Sequence, residues 1–270
     1  MIELNNFYIS ESVTFMRNNI PDNFVDLTVT SPPYDDLRKY NGFIFDYQNM
    51  FKELYRVTKD GGVVVWVVGD KTEKGSETGT SFKHALYAKE IGFNLHDTMI
   101  YAKNNYIPLT HNRYEQQFEY MFVFSKNKPK VFNPLKILCK TAGMKNNHKS
   151  EKHYEDTHSM RKRNENVFVN EYKYKPNIWF YNTGTKDRVK HNAPFPQELA
   201  EDHILTWSNE NDIILDPMCG SGTTCKMAWL NKRDFIGIDM SEEYINIDCI
   251  PRLNTYGWEQ NQKIAFQECL

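Results

Sequence analysis

The sequence predicts an α/β fold, a Rossmann-like, doubly wound sheet of seven mostly parallel strands with an insert between its two halves. Short runs rich in Val, Ile, Phe and Tyr alternate with stretches of helical periodicity, as in βαβ units. Two of these runs lead directly into motifs suited to ligand binding. A long polar, basic segment interrupts the pattern and forms the insert.

Composition is compatible with one such domain. The chain has 270 residues, 40% of them hydrophobic, which allows a sizeable core and a smaller appended segment. No window approaches the roughly 18 uninterrupted apolar residues of a membrane span, and the first residues do not resemble a secretory signal. We therefore expect a cytoplasmic protein. The five cysteines lack Cys-x-x-Cys spacing, so we expect reduced thiols rather than disulfides or a zinc site.

Seven strands and three helices follow from the periodicity. Apolar residues spaced by three and four positions over 51–58, after a cap at Asp46, predict one helix before a Gly-Gly pair. Further helices are predicted over 81–91 and from Pro194 to Trp207. The predicted strands are residues 7–10, 25–30, 62–68, 95–103, 119–125, 212–216 and 235–239.

The insert is predicted over residues 127–182, between α/β segments at 1–126 and 183–270. From Lys126 to Lys190 there are 16 Lys or Arg against 6 acidic residues, a net charge of +10, whereas the remainder carries −12. One interpretation of such a run is a solvated surface without a binding role. Interleaved aromatic and Asn residues, however, suit phosphate neutralisation combined with base contact, so we expect the insert to bind nucleic acid.

A glycine-rich loop follows the strand at 212–216. Glycines allow the backbone to approach a ligand closely, and the amides of the next helix point at it. The loop lacks the Gly-Lys-Thr ending of a phosphate-binding NTPase loop, and a tight strand-to-helix turn is the alternative. Its residues are Asp216, Pro217, Met218, Cys219, Gly220, Ser221, Gly222, Thr223 and Thr224.

An acidic residue, Asp239, ends the next strand and is followed by Met240. Its spacing of about 20 residues from the loop suits a carboxylate that accepts hydrogen bonds from ribose hydroxyls. The alternative is a cap for a helix that begins near Ser241. We interpret Asp239 and Met240 as part of a cofactor site.

A second motif, Ser31-Pro32-Pro33-Tyr34, follows Thr30 at the end of the strand at 25–30. The two prolines lack amide donors, which leaves nearby carbonyls free to accept hydrogen bonds. Acceptors of this kind, such as the Ser31 hydroxyl and the Pro32 carbonyl, would hold the hydrogens of an aryl amine, and Tyr34 would stack on its base. A rigid turn is the alternative. Because ligands of doubly wound sheets bind at carboxyl strand ends, we expect both motifs in one pocket.

Together these residues resemble the amino-methyltransferases of DNA in their permuted β-class arrangement, over nearly the whole chain. The resemblance implies the fold of methyltransferases that use S-adenosylmethionine as cofactor, double-stranded DNA as substrate, a flipped-out base, and direct SN2 transfer without metal. It makes 1–126 the catalytic half, 127–182 the target recognition region and 183–270 the cofactor-binding half. Partners could include a cognate endonuclease in a restriction-modification system, or a second copy of the chain.

The resemblance also assigns roles to single residues. The Ser-Pro-Pro-Tyr turn is catalytic, and the glycine loop, Asp239 and Met240 bind the cofactor. Thr30 belongs to the cofactor site, as does Phe195 in the segment 191–196 that precedes the cofactor strand. Glu11 stands where the family has an acidic residue near the adenine of the cofactor, although Ser10-Glu11 replaces the usual Gly-Asp.

The motif has Ser31, rather than Asp, before the two prolines, and in this it resembles enzymes that methylate the N4 amino group of cytosine. Methylation of the N6 amino group of adenine is the alternative. Methylation at cytosine carbon 5 would need a cysteine, usually after proline, and no Pro-Cys pair occurs. RNA methylation, protein-glutamine methylation and an inactive DNA-binding module are remoter alternatives. A metal site at His148, His153 and His158 is not expected, because their spacing fits no familiar ligand pattern.

Overall fold

The computed structural model describes residues 2–33, 45–106, 108, 112–145, 168–183, 196–258 and 265–266. The strands are β1 (Asn6–Ile9), β2 (Val25–Thr30), β3 (Thr58–Val68), β4 (Thr72–Glu73), β5 (Ser76–Glu77), β6 (Asn94–Lys103), β7 (Phe118–Ser125), β8 (Lys136–Leu138), β9 (Tyr172–Tyr174), β10 (Ile178–Tyr181), β11 (Ile213–Asp216), β12 (Asp234–Asp239) and β13 (Ala265–Phe266). The helices are α1 (Ser12–Asn19), α2 (Tyr47–Val57), α3 (Thr80–Glu90), α4 (Gln197–Trp207), α5 (Thr223–Leu230) and α6 (Ile250–Asn254), with a π-helical segment at Tyr244–Cys249.

Nine of the described strands form one sheet in the order β10-β6-β7-β3-β2-β11-β12-β1-β13. Every neighbouring pair is parallel except the two pairs that include β7. All seven predicted strands are present, and the α/β, mostly parallel fold is confirmed. The predicted count of seven is corrected to nine, because β10 and β13 add one strand at each edge. Sequence periodicity missed both, since β13 spans two residues and β10 lies in the polar segment.

The described residues divide into two compact units. The first unit combines Met1–Asn133 with Asn177–Leu270, and the second unit is Pro134–Pro176. The halves predicted at 1–126 and 183–270 therefore share one sheet. The predicted insert, 127–182, extends past the second unit at both ends, because β10 pairs with β6 and the Asn133 amide donates to the Thr206 carbonyl at 2.8 Å.

The sheet is wound in opposite directions from its centre. From β2 the chain passes through α2 to β3 on one side, whereas from β11 it passes through α5 to β12 on the other. Strand order therefore reverses between β2 and β11, which is where ligands of doubly wound sheets bind.

Helices cover both faces of this sheet. Helices α1, α2 and α3 pack on one face around Phe51 and Trp66. Helices α4 and α5 pack on the opposite face, where His203 of α4 lies 3.3 Å from the sulfur of Met121. The apolar surface of the parallel strands is thus buried on both sides, as α/β architecture requires.

The predicted helices are present with small shifts at their ends. Asp46 caps α2 by accepting a hydrogen bond from the Asn49 amide at 3.1 Å, the role predicted for it. Helix α3 begins one residue earlier than predicted. Helix α4 begins at Gln197, and residues 194–195 of its predicted start lie outside the described residues. Among the helices described, none is long and apolar enough to cross a membrane.

Candidate active site

The two predicted motifs meet at a buried hydrogen bond. Strands β2 and β11 are parallel neighbours, so their carboxyl ends lie side by side at the reversal of strand order. There the Thr30 hydroxyl donates to Oδ1 of Asp216 at 2.7 Å, and both residues are buried. The bond joins positions separated by 186 residues in sequence. The turn at Ser31 and the loop that starts at Asp216 are therefore spatial neighbours.

Burial and hydrogen bonding have opposite effects on the pKa of the Asp216 carboxyl. Its Oδ1 also accepts a hydrogen bond from the Met218 amide at 3.2 Å. Burial raises the pKa of Asp216 to about 7, although the hydrogen bonds from Thr30 and Met218 act to lower it. Near neutral pH this carboxyl is therefore poised between its two charge states.

Two glycines shape the loop. Gly220 and Gly222 have φ values of 50° and 74°, a left-handed conformation that side chains disfavour. A Cβ on Gly222 would also lie 3.0 Å from Sγ of Cys249. The loop is held by the strands on both sides of β11, because the Cys219 amide donates to the Ile238 carbonyl of β12 at 2.9 Å and the Thr224 hydroxyl donates to the Val29 carbonyl of β2 at 3.0 Å.

Asp239 lies against this loop at the end of β12. Its Oδ2 accepts from the Gly220 amide and its Oδ1 from the Ser241 amide, each at 2.8 Å. Burial raises the pKa of Asp239, whereas these two amide bonds lower it. The helix cap that the sequence offered as the alternative role of Asp239 is supplied by Ser241 instead, whose hydroxyl accepts from the Tyr244 amide at 3.2 Å. Each carboxylate oxygen still has a second lone pair, so a ribose contact stays a prediction.

Side chains behind the loop were not predicted from the sequence. The Ser12 hydroxyl of α1 donates to the Pro217 carbonyl. The Cys249 thiol donates to the Gly220 carbonyl at 3.2 Å, and the buried Arg252 guanidinium donates to the Ser221 carbonyl. Ser12 could have been suspected because it adjoins Glu11. Cys249 and Arg252 follow no recognisable motif, so only packing reveals their role.

Three cysteine thiols, those of Cys219, Cys225 and Cys249, are buried around the loop. Burial raises the pKa of each, in Cys225 to about 11. They are protonated at neutral pH and are therefore poor nucleophiles. Cys219 packs within the loop, as the sequence suggested, and all four described cysteines are free thiols.

Glu11 caps helix α1. Its two carboxylate oxygens accept from the Val13 and Thr14 amides at 2.9 and 2.7 Å. The sequence did not predict this role, because a Glu at the N-cap is less usual than Ser, Thr, Asp or Asn. Contact between Glu11 and the adenine of a cofactor stays a prediction.

The Ser31-Pro32-Pro33-Tyr34 turn follows directly after Thr30. Pro32 is buried, whereas Ser31 and Pro33 are half-buried. Tyr34, Phe195 and the three histidines at 148, 153 and 158 lie outside the described residues.

Known proteins resemble the chain over most of its length. The profile of a family described as DNA methylase matches residues 25–248. The orphan methyltransferase M.BamHII of Bacillus amyloliquefaciens is 54% identical over 245 residues, which cover 86% of this chain and 90% of that protein.

Solved structures share the fold. The PvuII DNA methyltransferase, described as cytosine-N4-specific, has a TM-score of 0.66 at 18% identity, covering 95% of this chain and 87% of that one. The M1.HpyAVI–SAM complex has a TM-score of 0.59 at 22% identity, covering 92% of this chain and 98% of that one.

Replacing Thr30 by Val should lower the free energy of unfolding by about 1–3 kcal/mol, because a buried Asp216 oxygen loses its donor. Thr28→Val is the matched control on the same strand. The Thr28 hydroxyl is buried and has no hydrogen-bond partner among the described residues, so its removal should leave stability unchanged or higher. Urea denaturation of both variants measures the difference. Equal losses would contradict a stabilising role for the Thr30–Asp216 bond.

The contribution of Asp216 to stability should fall as pH rises from about 4 to about 7. Its pKa is raised from 3.8 to about 7 on folding, so over this range the folded chain retains a proton that the unfolded chain has lost. Asp216→Asn removes the titration. Denaturation at several pH values should therefore give curves of stability against pH that diverge for the two proteins. Parallel curves would contradict the raised pKa.

Proposed function

The chain belongs to the DNA methylase family, whose profile matches residues 25–248, and from this we propose that it methylates the N4 amino group of cytosine in a short duplex sequence. The family comprises DNA amino-methyltransferases of cytosine N4 or adenine N6, and its cofactor is S-adenosylmethionine. The observation that carries the proposal is the Thr30–Asp216 hydrogen bond, because it places the turn at Ser31 beside the glycine loop.

The residues around the loop fit this cofactor chemically. Asp216 and Asp239 place two carboxyl groups at the glycine loop. Carboxyl groups suit this cofactor, because it carries a cationic sulfonium, an ammonium group and ribose hydroxyls. Met240 is 53% exposed directly after Asp239, an apolar surface that an adenine ring could cover. Asp239 would hold the ribose, Met240 the adenine, and residues 216–224 the methionine part. When bound, the cofactor supplies an electrophilic methyl group.

The turn at Ser31 suits the other reactant. An aryl amine is a poor nucleophile because its lone pair is delocalised into the ring. The Ser31 hydroxyl and the Pro32 carbonyl would accept its two hydrogens and restore electron density at nitrogen. Buried Pro32 limits the freedom of this turn, so positioning would supply most of the rate. The methylated nitrogen would then release its extra proton to solvent water, because an aryl ammonium is a strong acid.

Base flipping is part of the proposal, since the amino group of a paired cytosine is held inside the duplex. The presence of Ser31 in place of Asp before the two prolines supports cytosine, rather than adenine, as the target base. The likeness to the PvuII enzyme is compatible with this choice, but at 18% identity it concerns the fold alone.

The basic insert over 127–182 would recognise the target sequence. Its second-unit part, Pro134–Pro176, carries 10 basic and 5 acidic residues, which suits a polyanionic partner. The enzyme would act either beside a cognate restriction endonuclease or alone. The name of the 54% identical relative, an orphan methyltransferase, favours action alone.

Ser31→Ala should slow methyl transfer about 10- to 100-fold, the equivalent of one hydrogen bond to the reacting amine. Cofactor affinity should stay within a few-fold, because Ser31 lies outside the glycine loop. Asp239→Ala is the contrasting variant and should chiefly weaken the cofactor. Single-turnover methylation and calorimetric titration separate the two effects. Loss of cofactor binding in Ser31→Ala would overturn the assignment.

Mass spectrometry of nucleosides from DNA methylated by the purified protein should detect N4-methylcytosine. The exocyclic amino group is the only site that the acceptors of this turn are suited to activate. Detection of N6-methyladenine would show that the target base is adenine instead of cytosine, while the proposed methylation of an exocyclic amino group would stand. 5-Methylcytosine, or unmodified DNA, would overturn the proposed function.

A further inference from the structure

We infer that Asp216 is protonated in the free protein and gives up its proton when the cationic cofactor binds, so that the site favours the sulfonium cofactor over its neutral thioether product. This inference rests on the proposed function, because it takes S-adenosylmethionine as the methyl donor. One buried carboxyl would in this way change its charge during each reaction cycle.

Asp216 has no positive charge to compensate its own. Its residue is only 2% exposed, and in the part of the chain that the structure describes no lysine, arginine or histidine forms an ion pair with it. The bonds from the Thr30 hydroxyl and the Met218 amide both end on Oδ1. A carboxylate buried without a cation is costly, and such a group protonates instead.

The titratable groups that face Asp216 are Asp239 of β12 and Cys225 of α5. Neither of them can become positive. Asp239 lies against the same loop through the Gly220 amide, and its carboxylate repels a second negative charge nearby. The neighbouring elements therefore favour a neutral Asp216, and only the hydrogen bonds on Oδ1 favour its ionised form.

The Thr224 hydroxyl provides a place for the proton. This hydroxyl faces Asp216, but it donates its single proton to the Val29 carbonyl at 3.0 Å. Its oxygen therefore presents a lone pair to the carboxyl, and a protonated Asp216 can donate to it. Burial raises the pKa of Asp216 to about 7, so an approaching positive charge can remove the proton near neutral pH.

The cofactor sulfur has to lie on the Asp216 side of the site. Direct transfer requires the methyl group to reach the amine that Ser31 would hold, and Ser31 follows Thr30, whose hydroxyl is bonded to Asp216 at 2.7 Å. Asp239 is one strand further away, because β12 lies on the side of β11 opposite β2. A sulfonium beside Asp216 stabilises its ionised form.

Methyl transfer removes this positive charge. As the carbon–nitrogen bond forms, the carbon–sulfur bond breaks, its electron pair stays on sulfur, and the nitrogen releases its extra proton to solvent. The sulfur is then a neutral thioether, so Asp216 takes up a proton from water. Affinity for the cofactor should therefore rise with pH until Asp216 is ionised in the free protein, whereas affinity for the product should not.

Calorimetric titration in buffers of different ionisation enthalpy measures the protons released on binding. At pH 6, S-adenosylmethionine should release about one proton from the wild-type protein and S-adenosylhomocysteine close to none. Between pH 6 and pH 8 the affinity for S-adenosylmethionine should rise about tenfold, and that for S-adenosylhomocysteine should change by less than about threefold.

Asp216→Asn is the matched variant, because it keeps the shape of the side chain but cannot titrate. It should release no proton beyond that of the amino group of the ligand itself. Asp239→Asn is the contrasting variant and should retain the release at a lower pH, because a repelling carboxylate is removed. Should Asp216→Asn not fold, Thr30→Val should move the release to higher pH, because the ionised carboxyl loses a donor.

The outcomes separate this inference from the proposed function. Binding of S-adenosylmethionine without proton release, or release that persists in Asp216→Asn, would overturn the inference and leave the proposed function intact. Equal release with both ligands would also overturn it, because the ammonium group that they share would then be responsible. If the wild-type protein does not bind S-adenosylmethionine, both fail.

Discussion

The hydrogen bond between Thr30 and Asp216 spans the point where the order of the strands reverses. It is buried, it is 2.7 Å long, and it joins the last residues of two adjacent parallel strands. A turn that can accept hydrogen bonds follows one strand, and a glycine loop follows the other. Burial is the larger influence on the pKa of Asp216 and raises it to about 7, whereas the hydrogen bond from Thr30 limits that rise. Together with the pairing of β2 with β11 and the bond from Thr224 to Val29, this contact fixes the relative position of the two motifs.

The glycine loop is supported from several directions. Helix α1 contributes Ser12, the π-helical segment contributes Cys249, and α6 contributes Arg252. Asp239 holds the same loop through the Gly220 amide. Groups fixed in this way pay little further ordering cost when a ligand binds. The elements at both ends of the sequence therefore converge on a loop of nine residues.

The two units differ in charge, although the net charge of the whole chain is close to zero. The whole chain carries −2, whereas Pro134–Pro176 has twice as many basic as acidic residues. Phosphate contacts from such a surface position a duplex but carry no sequence information, which must come from contacts to base edges.

The sequence by itself determined the seven inner strands, the helix cap at Asp46, both motifs and the basic segment, because periodicity, turn chemistry and charge are local properties. It did not determine that Glu11 would cap α1, that Asp239 would bind the Gly220 amide, or that Arg252 would reach the glycine loop. Strand β10 was hidden for a similar reason, since two buried side chains in a polar segment, those of Trp179 and Tyr181, become meaningful only beside β6. Only the tertiary structure decided these features, because strand order and packing bring together groups that are remote in the chain.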